Sequence, residues 1–316
     1  MKAITYHYVR EENIDFPGII YLHSKNFIKQ LDFFDKNYGI SSKDSFFKDI
    51  ENQNVTSEKI ILTFDDGLSD HYNFVFPHLV LKKHWGIFYV SIGPYLNEQL
   101  LDVHRIHIIL ARFGGERALL ELKKILEPNM IDQEKVEEFE ESVYKLQGST
   151  NSFLEFKKIL NYYVSFDWKP FLLRRLIRSI FSINEERKFA KEFYLTIDQI
   201  KKMHKSGMTI GAHSINHHVM SSLEYDDQKR EVEDACDFLS NCLGDKICTF
   251  AYPYGTKKTY TDEISKIIEN QGIDFTFAIE DRDISNDDLK NNIYSLPRYD
   301  CNQFKFGKNE LPDELS

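Results

Sequence analysis

Short apolar stretches alternate with amphipathic ones along much of the chain. The segments 59–64 (KIILTF), 86–92 (GIFYVSI) and 208–213 (MTIGAH) have the apolar, β-branched character of buried strands. Helical periodicity lies between them, as in 196–207, where a Thr–Gln capping box and a final glycine predict both helix ends. This β-then-α order predicts parallel strands with right-handed crossovers. Further strands are predicted at 3–9, 247–253, 273–279 and 292–299, and further helices at 71–84, 225–244 and 260–271.

The alternation breaks between about residues 95 and 195. This segment is rich in Glu, Lys and Leu at helical spacing and has few strand signals. It predicts a helical insertion or lid over 96–195, placed between two parts of one α/β domain, 1–95 and 196–316. An open doubly wound sheet and a barrel are both compatible with that domain.

Polar side chains lie at or just after the carboxyl ends of four of the predicted strands. Parallel α/β folds place their active sites at the carboxyl ends of the strands, so these side chains can converge on one mouth. They are Asp65 and Asp66, His213 and His217, Tyr252 and Tyr254, and Arg298 with Asp300.

The spacing of the histidines indicates a metal site. If their segment forms a helical turn, His213 and His217 share one face, and both imidazoles can bind one cation. Two imidazoles and one carboxylate form a common catalytic zinc set with an open position for water. The adjacent Asp65 and Asp66 repel each other, and a bound dication would offset the charge of one. The pattern predicts Zn²⁺, with Co²⁺, Ni²⁺ or Fe²⁺ as alternatives.

Three motifs together resemble a known family. TFDDG at 63–67, HSINH at 213–217 and YPYG at 252–255 look like the polysaccharide deacetylase family, carbohydrate esterase family 4, with its NodB homology domain. The resemblance covers about 59–95 and 196–300. It implies a deformed (β/α) barrel of the NodB type that removes N- or O-acetyl groups from sugars. By position, it assigns the metal ligands Asp66, His213 and His217, the general base Asp65, and an oxyanion-binding backbone N–H at Tyr254.

The chain departs from the family at two motifs. The third motif reads FAYPYG and lacks the family's arginine, and no histidine follows His218 to act as the family's C-terminal general acid. Arg298 is therefore a candidate to orient Asp65 in place of the missing arginine. The group that protonates the leaving amine stays open, with Asp65 acting as both base and acid as one alternative.

Other histidines and a tyrosine are candidates for substrate binding. His104 and His107, three apart in the insertion, either reach the barrel mouth as substrate binders or acid, or are structural histidines of a helix. His7, at the end of the first predicted strand, and Tyr252 either line the cleft or simply pack.

Composition and charge bear on the partners and the cellular location of the protein. The net charge of −10 over 316 residues argues against general nucleic-acid binding, and the four cysteines match no zinc or disulfide framework. No signal-peptide pattern or apolar run of bilayer length is present, which predicts a cytoplasmic protein. The segment 168–181 has three arginines among large apolar residues, so it either contacts a membrane surface peripherally or packs within the insertion. The sequence does not indicate an oligomeric state.

The motifs together predict a metal-dependent hydrolase acting on an N-acyl, chiefly N-acetyl, amino sugar. Without a signal peptide, a nucleotide-linked or lipid-linked precursor of a surface polysaccharide fits better than an extracellular polymer. A sugar N-deformylase is the close chemical alternative. A catalytically inactive glycan-binding barrel is the alternative of another class, because the acid and one arginine of the family are missing.

Overall fold

The computed structural model describes residues 1–12, 15–132 and 152–308, and the chain forms two compact units. Residues 133–151 of the predicted insertion, and residues 13–14 and 309–316 of the predicted barrel, lie outside the described residues. The first unit comprises Met1–Glu11, Ile20–Glu98 and Ala190–Ser316, and the second comprises Glu12–Ile19 and Gln99–Phe189. The second unit thus includes Glu12–Ile19, a segment that the sequence prediction assigned to the barrel.

A parallel sheet forms the centre of the first unit, as the β-then-α order predicted. Within the described residues its seven strands run in the order β8-β7-β6-β5-β4-β1-β9, and β2 and β3 form a separate parallel pair. The strands are β1 (Lys2–Tyr6), β2 (Val9–Arg10), β3 (Leu22–His23), β4 (Ile60–Phe64), β5 (Ile87–Val90), β6 (Thr209–Ala212), β7 (Thr249–Ala251), β8 (Phe275–Phe277) and β9 (Tyr299–Asp300).

The segment 296–300 brings the two edges of this sheet together. Leu296 forms a parallel bridge with Phe277 of β8, and Tyr299 pairs with Ile4 of β1. One short stretch of chain therefore contacts both edge regions, so the sheet curls into a deformed barrel. The strands that carry the candidate chemistry consequently open at one end of that barrel.

Alternating side chains of the strands fill two buried clusters. Along β4, Ile61 faces one cluster with Tyr89 and Phe277, while Leu62 and Phe64 face the other, which also includes helix residues. Both faces of a parallel sheet are normally buried, which explains the continuous apolar runs in these strands. The same alternation continues past Phe64, so Asp65, two positions after Thr63, points to the barrel interior.

Helices cover the outside of the first unit. Thr196 and Gln199 form the predicted capping box, with Oγ1 and Oε1 each accepting from the other residue's backbone N–H. The helices are Ser24–Asn37, Lys43–Glu51, Phe76–Lys82, Gly93–Asn97, Ile197–Lys205, Tyr225–Leu243, Ile264–Asn270 and Asn286–Asn291.

One prediction about secondary structure was wrong. The predicted strand 292–299 is a 3-10 turn, Ile293–Ser295, and only Tyr299–Asp300 is strand at its end. The predicted helix 71–84 is confirmed as helical, but it begins as a π-helical turn, His71–Val75, and becomes α-helical at Phe76–Lys82. Hydrophobic periodicity does not distinguish these two helical forms.

The second unit is helical in its described residues. Its helices are Asp102–Lys123, Ser152–Lys158, Lys169–Ile177 and most of Ile183–Phe193. Leu172, Leu173, Leu176 and Ile177 are buried, which favours packing over membrane contact for 168–181. In the described part of the chain, no helix has both the length and the apolar character to span a bilayer.

Candidate metal centre

The aspartate pair lies where β4 leaves the barrel. Asp65 follows the inward-facing Thr63, and its N–H donates to the Tyr6 carbonyl as the strand pairing continues (2.9 Å). Asp66 then has a φ of +77° and Gly67 a φ of +66°, so the chain turns sharply. Because of this turn, the two adjacent carboxylates point to different neighbours.

Asp66 meets the two histidines of the HSINH motif. One donor atom from each of Asp66, His213 and His217 lies within 4.8 Å of the others, and all three residues are buried. Asp66 Oδ1 is 3.5 Å from His213 Nε2 and 3.3 Å from His217 Nε2. The structure therefore brings together the three predicted ligands, an N,N,O set that suits a divalent transition metal.

His213 is oriented for ligation by its other ring nitrogen. Its Nδ1 donates to the Ala251 carbonyl at 2.7 Å, so Nε2 faces Asp66 and is the ring nitrogen available to a metal ion. Burial acts to lower the pKa of His213, but the hydrogen bond with Asp66 and the charges of Asp65 and Asp66 raise it above its ordinary value. A pocket that favours positive charge in this way fits a bound cation.

The histidine segment is not a helical turn, contrary to the sequence prediction. Ser214 and His217 have left-handed backbone, with φ values of +63° and +57°. The Ser214 hydroxyl accepts from the His217 N–H at 3.0 Å and closes the turn. The two imidazoles converge because of this strained turn, and not because of the 3.6-residue helical repeat.

Asp65 pairs with Arg298. The guanidinium donates from Nη1 to Oδ1 and from Nη2 to Oδ2, both at 2.8 Å, and both side chains are buried. Arg298 Nη1 also donates to Thr63 Oγ1 at 3.0 Å, and Thr5 Oγ1 donates to Asp65 Oδ2 at 3.1 Å. The arginine stands beside the Tyr89 ring, 5.5 Å from its centroid. This side of the site is a bidentate ion pair inside the barrel.

The ion pair determines the protonation state of Asp65. Burial by itself acts to raise the pKa of this carboxyl, but the charge of Arg298, followed by those of His213 and His7, outweighs it. The hydrogen bonds from Arg298 add to the effect, and the pKa falls to about 2. Asp65 is therefore an ionised carboxylate at neutral pH, available to accept a proton.

The other candidates of the first unit lie in different surroundings. The ring centroid of Tyr254 is 5.0 Å from that of His217, so this residue borders the candidate metal site. The half-buried His7 follows β1, and its charge acts on Asp65. Tyr252 is buried, with its hydroxyl donating to the Tyr294 carbonyl at 2.9 Å, and its proposed substrate role stays a prediction.

His104 and His107 lie in the second unit. They stand on the helix Asp102–Lys123 with ring centroids 6.0 Å apart, and His104 is fully buried. Their proposed role in substrate binding stays a prediction. The neighbouring Arg105 forms a buried ion pair with Glu186, which shows that charged groups in this helix are used to hold the unit together.

Sequence reasoning missed Glu231, which contacts the histidine turn. Its carboxylate accepts from the N–H groups of Ile215 and Asn216 at 2.8 and 2.9 Å. A signal was present, because Glu231 precedes Val232 and lies one turn before Ala235 on the apolar side of a helix. An acidic residue at a core-facing helix position indicates a specific buried partner.

Comparisons with known proteins agree with the motifs. Residues 166–276 match the family model described as polysaccharide deacetylase. The matched range includes His213, His217 and Tyr254, while the two aspartates lie before it. No curated protein sequence matches the chain. The family model confirms the resemblance that the motifs indicated.

Solved structures share the fold along most of the chain. A Streptococcus pyogenes deacetylase, PplD, in complex with acetate is 17% identical, with a TM-score of 0.57 over 95% of this chain and 91% of that one. A de-N-acetylase from Aggregatibacter actinomycetemcomitans is 16% identical, with a TM-score of 0.53 over 94% and 93%. The BpsB deacetylase domain from Bordetella bronchiseptica is 12% identical, with a TM-score of 0.52 over 95% and 94%. These likenesses confirm the deformed (β/α) barrel of the NodB type.

Proposed function

We propose that this chain is a metal-dependent hydrolase that removes an N-acetyl group from an amino sugar. The observation that carries the proposal is the buried Asp66–His213–His217 donor set beside the Asp65–Arg298 pair. The match to the polysaccharide deacetylase family supports carbohydrate de-N-acetylation as the reaction. The nucleotide-linked or lipid-linked precursor as substrate and the cytoplasmic location stay predictions.

The three ligands and the base have separate tasks. Asp66, His213 and His217 would hold the ion, which when bound supplies Lewis acidity toward water and an amide carbonyl. Asp65 would take the proton of the attacking water. Three donors, two from Arg298 and one from Thr5, already bind this carboxylate. A carboxylate has about four acceptor positions, so one remains for that proton.

Arg298 and Tyr254 complete the proposed chemistry. The bidentate contact with Arg298 holds the Asp65 plane fixed, so its free acceptor position keeps one direction. The backbone N–H of Tyr254, a residue with a φ of +61° beside His217, is the proposed donor to the oxyanion that forms at the amide carbon.

His7 is the proposed general acid for the leaving amine. It follows β1, the strand next to β4, and its charge is among those that lower the pKa of Asp65. The buried His71 donates from Nε2 to the His7 carbonyl at 2.8 Å and anchors its backbone. Histidine is the side chain most often used to transfer a proton to a leaving group, which suits this role.

Removing the His7 imidazole should lower turnover and leave metal binding intact. We expect His7→Gln to reduce kcat by about 10²–10⁴-fold, the usual contribution of a positioned acid. Steady-state rates of acetate release across pH, together with the metal content of the purified variant, measure this effect. His78→Gln, which changes another first-unit histidine away from the strand ends, is the matched control. Wild-type turnover in His7→Gln would assign the acid elsewhere.

Removal of the metal is the direct test of the proposed function. The protein is treated with a chelator, desalted, and assayed for acetate released from a panel of N-acetyl amino sugars, free, nucleotide-linked and lipid-linked. We expect activity to disappear and to return with Zn²⁺ or Co²⁺, because the ligand set suits such ions. Full activity without metal would contradict the proposal. Tight metal binding without release of acetate or formate from any substrate would favour the glycan-binding alternative.

A further inference from the structure

The turn that presents His217 is held in an unfavourable backbone conformation. Ser214 and His217 have φ values of +63° and +57°, and residues other than glycine rarely adopt this region. Such a conformation costs on the order of 1–3 kcal/mol and persists only where surrounding contacts enforce it. The contacts around residues 214–217 therefore determine where the His217 imidazole lies.

The carbonyl groups of this turn are held from the β5 side. The Ile92 N–H donates to the Ser214 carbonyl at 3.2 Å, and the Gly93 N–H donates to the Ile215 carbonyl at 2.7 Å. These bonds use only the carbonyl groups of the turn. The backbone N–H groups of Ile215 and Asn216 therefore need acceptors from another element.

Glu231 satisfies those N–H groups. Its Oε2 accepts from the backbone N–H groups of Ile215 and Asn216 at 2.8 and 2.9 Å, and its Oε1 accepts from Asn216 Nδ2 at 2.8 Å. The residue projects from the helix Tyr225–Leu243 and is only 5% exposed. One carboxylate thus binds three donors of a single four-residue turn.

The surroundings of Glu231 indicate a specific role for its carboxylate. Among the described residues it has no ion pair with a lysine, arginine or histidine within 4.0 Å. Burial of a carboxylate without a cation is costly, and only its hydrogen bonds offset that cost. An apolar residue would suit this face of the helix, where Val232 and Ala235 are fully buried. The carboxylate is explained by the turn that it binds.

We propose that Glu231 is a positioning residue that holds His217 in ligating geometry and thereby sets the metal affinity of the site. The inference rests on the metal centre of the proposed function, to which it adds a residue outside the ligand set. Its action is geometric. If the two N–H groups lose their acceptor, the left-handed turn relaxes and His217 Nε2 moves away from Asp66, from which it is 3.3 Å.

The test measures metal affinity directly, without substrate. Zn²⁺ is titrated into the metal-free protein in competition with a chromophoric chelator, and Co²⁺ absorption reports the ligand geometry. We expect Glu231→Ala to weaken binding by about 10–100-fold, the usual effect of losing a partner behind the ligands. Glu231→Gln should stay within a few-fold of wild type, because its amide oxygen still accepts from both backbone N–H groups. Glu233→Ala, a partly exposed glutamate on the same helix, is the matched control and should bind as wild type.

Each outcome decides the matter. Wild-type affinity in a folded Glu231→Ala protein overturns the proposal, and so does a Glu231→Gln protein as weak as Glu231→Ala, because charge and not the hydrogen bonds would then be responsible. If Glu231→Ala does not fold, Glu231→Asp decides, since its shorter side chain keeps the charge but not the reach. Weakened binding there supports the proposal, and unchanged binding overturns it. A wild-type protein that binds no metal overturns the proposed function itself, together with this inference.

Discussion

Replacement of Asp65 by Asn is expected to lower kcat by about 10²–10⁴-fold while the protein keeps its metal. Asn has the shape of Asp but cannot accept the proton of the attacking water at neutral pH. The three proposed ligands are separate residues, Asp66, His213 and His217, so metal content should stay at the wild-type level. The rate of acetate release and the metal-to-protein ratio are measured on the same preparation.

Asp66→Asn is the control for that experiment. The two aspartates are adjacent and both buried, but only Asp66 lies within 4 Å of the histidines' Nε2 atoms. Asp66→Asn should therefore lose metal affinity together with activity, whereas Asp65→Asn should lose activity alone. Equal loss of metal in both variants, or turnover retained in Asp65→Asn, would contradict the separation of base and ligand.

Replacement of Arg298 by Gln is expected to destabilise the fold as well as the active site. Arg298 is fully buried, and its removal leaves the Asp65 carboxylate buried without a cation. Breaking a buried pair in this way costs about 3–5 kcal/mol of unfolding free energy. Denaturant unfolding at pH 7 measures this change. Arg230→Gln, at an exposed pair with Asp227, is the matched control and should change stability by less than about 1 kcal/mol.

The pH dependence of that loss gives a second measurement. In the wild-type protein the pKa of Asp65 is about 2, below its ordinary value of 3.8. Burial acts to raise this pKa, but the charges of Arg298, His213 and His7 outweigh that effect. A carboxyl group with a depressed pKa stabilises the fold above its unfolded-state pKa, and this contribution disappears as the pH falls from about 4 toward 2.

In Arg298→Gln we expect the shift in the pKa of Asp65 to change sign. Burial then dominates and raises the pKa of Asp65 above its unfolded-state value, so protonation favours the fold. The difference in unfolding free energy between wild type and variant should therefore shrink as the pH is lowered from 7 to 4. The acid limb of the kcat/KM profile should also move to higher pH. A difference that stays constant over this range would show that Arg298 acts without Asp65.

The strand ends were the part of the site that sequence could predict. A buried strand followed by two aspartates and Gly67 has a clear physical meaning, because alternation directs Asp65 inward and the glycine permits the turn. The pairing of Arg298 with Asp65 also followed from a missing arginine elsewhere. The predicted and observed positions of these residues agree because the carboxyl ends of parallel strands lie together at one end of the barrel, whichever helices connect them.

The parts that sequence could not predict depend on unusual backbone. Nothing in HSINH fixes Ser214 and His217 in the left-handed region, which only a few per cent of non-glycine residues adopt. The helix Ser24–Asn37 was missed for a related reason. It begins after His23, whose Nδ1 accepts from the Lys25 N–H, and histidine is not among the usual N-cap residues. The contact that begins this helix is local but uses an unusual residue type. The histidine turn is held by other elements, through Ile92, Gly93 and Glu231.

The pairing of Asp65 with Arg298 also bears on the order in which the chain folds. The two residues are 233 positions apart, so the ion pair forms only after a very long loop has closed. Contacts of such separation are typical of slow, late steps in folding. A growing chain that has emerged as far as residue 297 would already contain the proposed metal ligands and the proposed base, but it would not be able to neutralise Asp65. The proposed activity would then appear only at the end of folding, when the last barrel strand is in place.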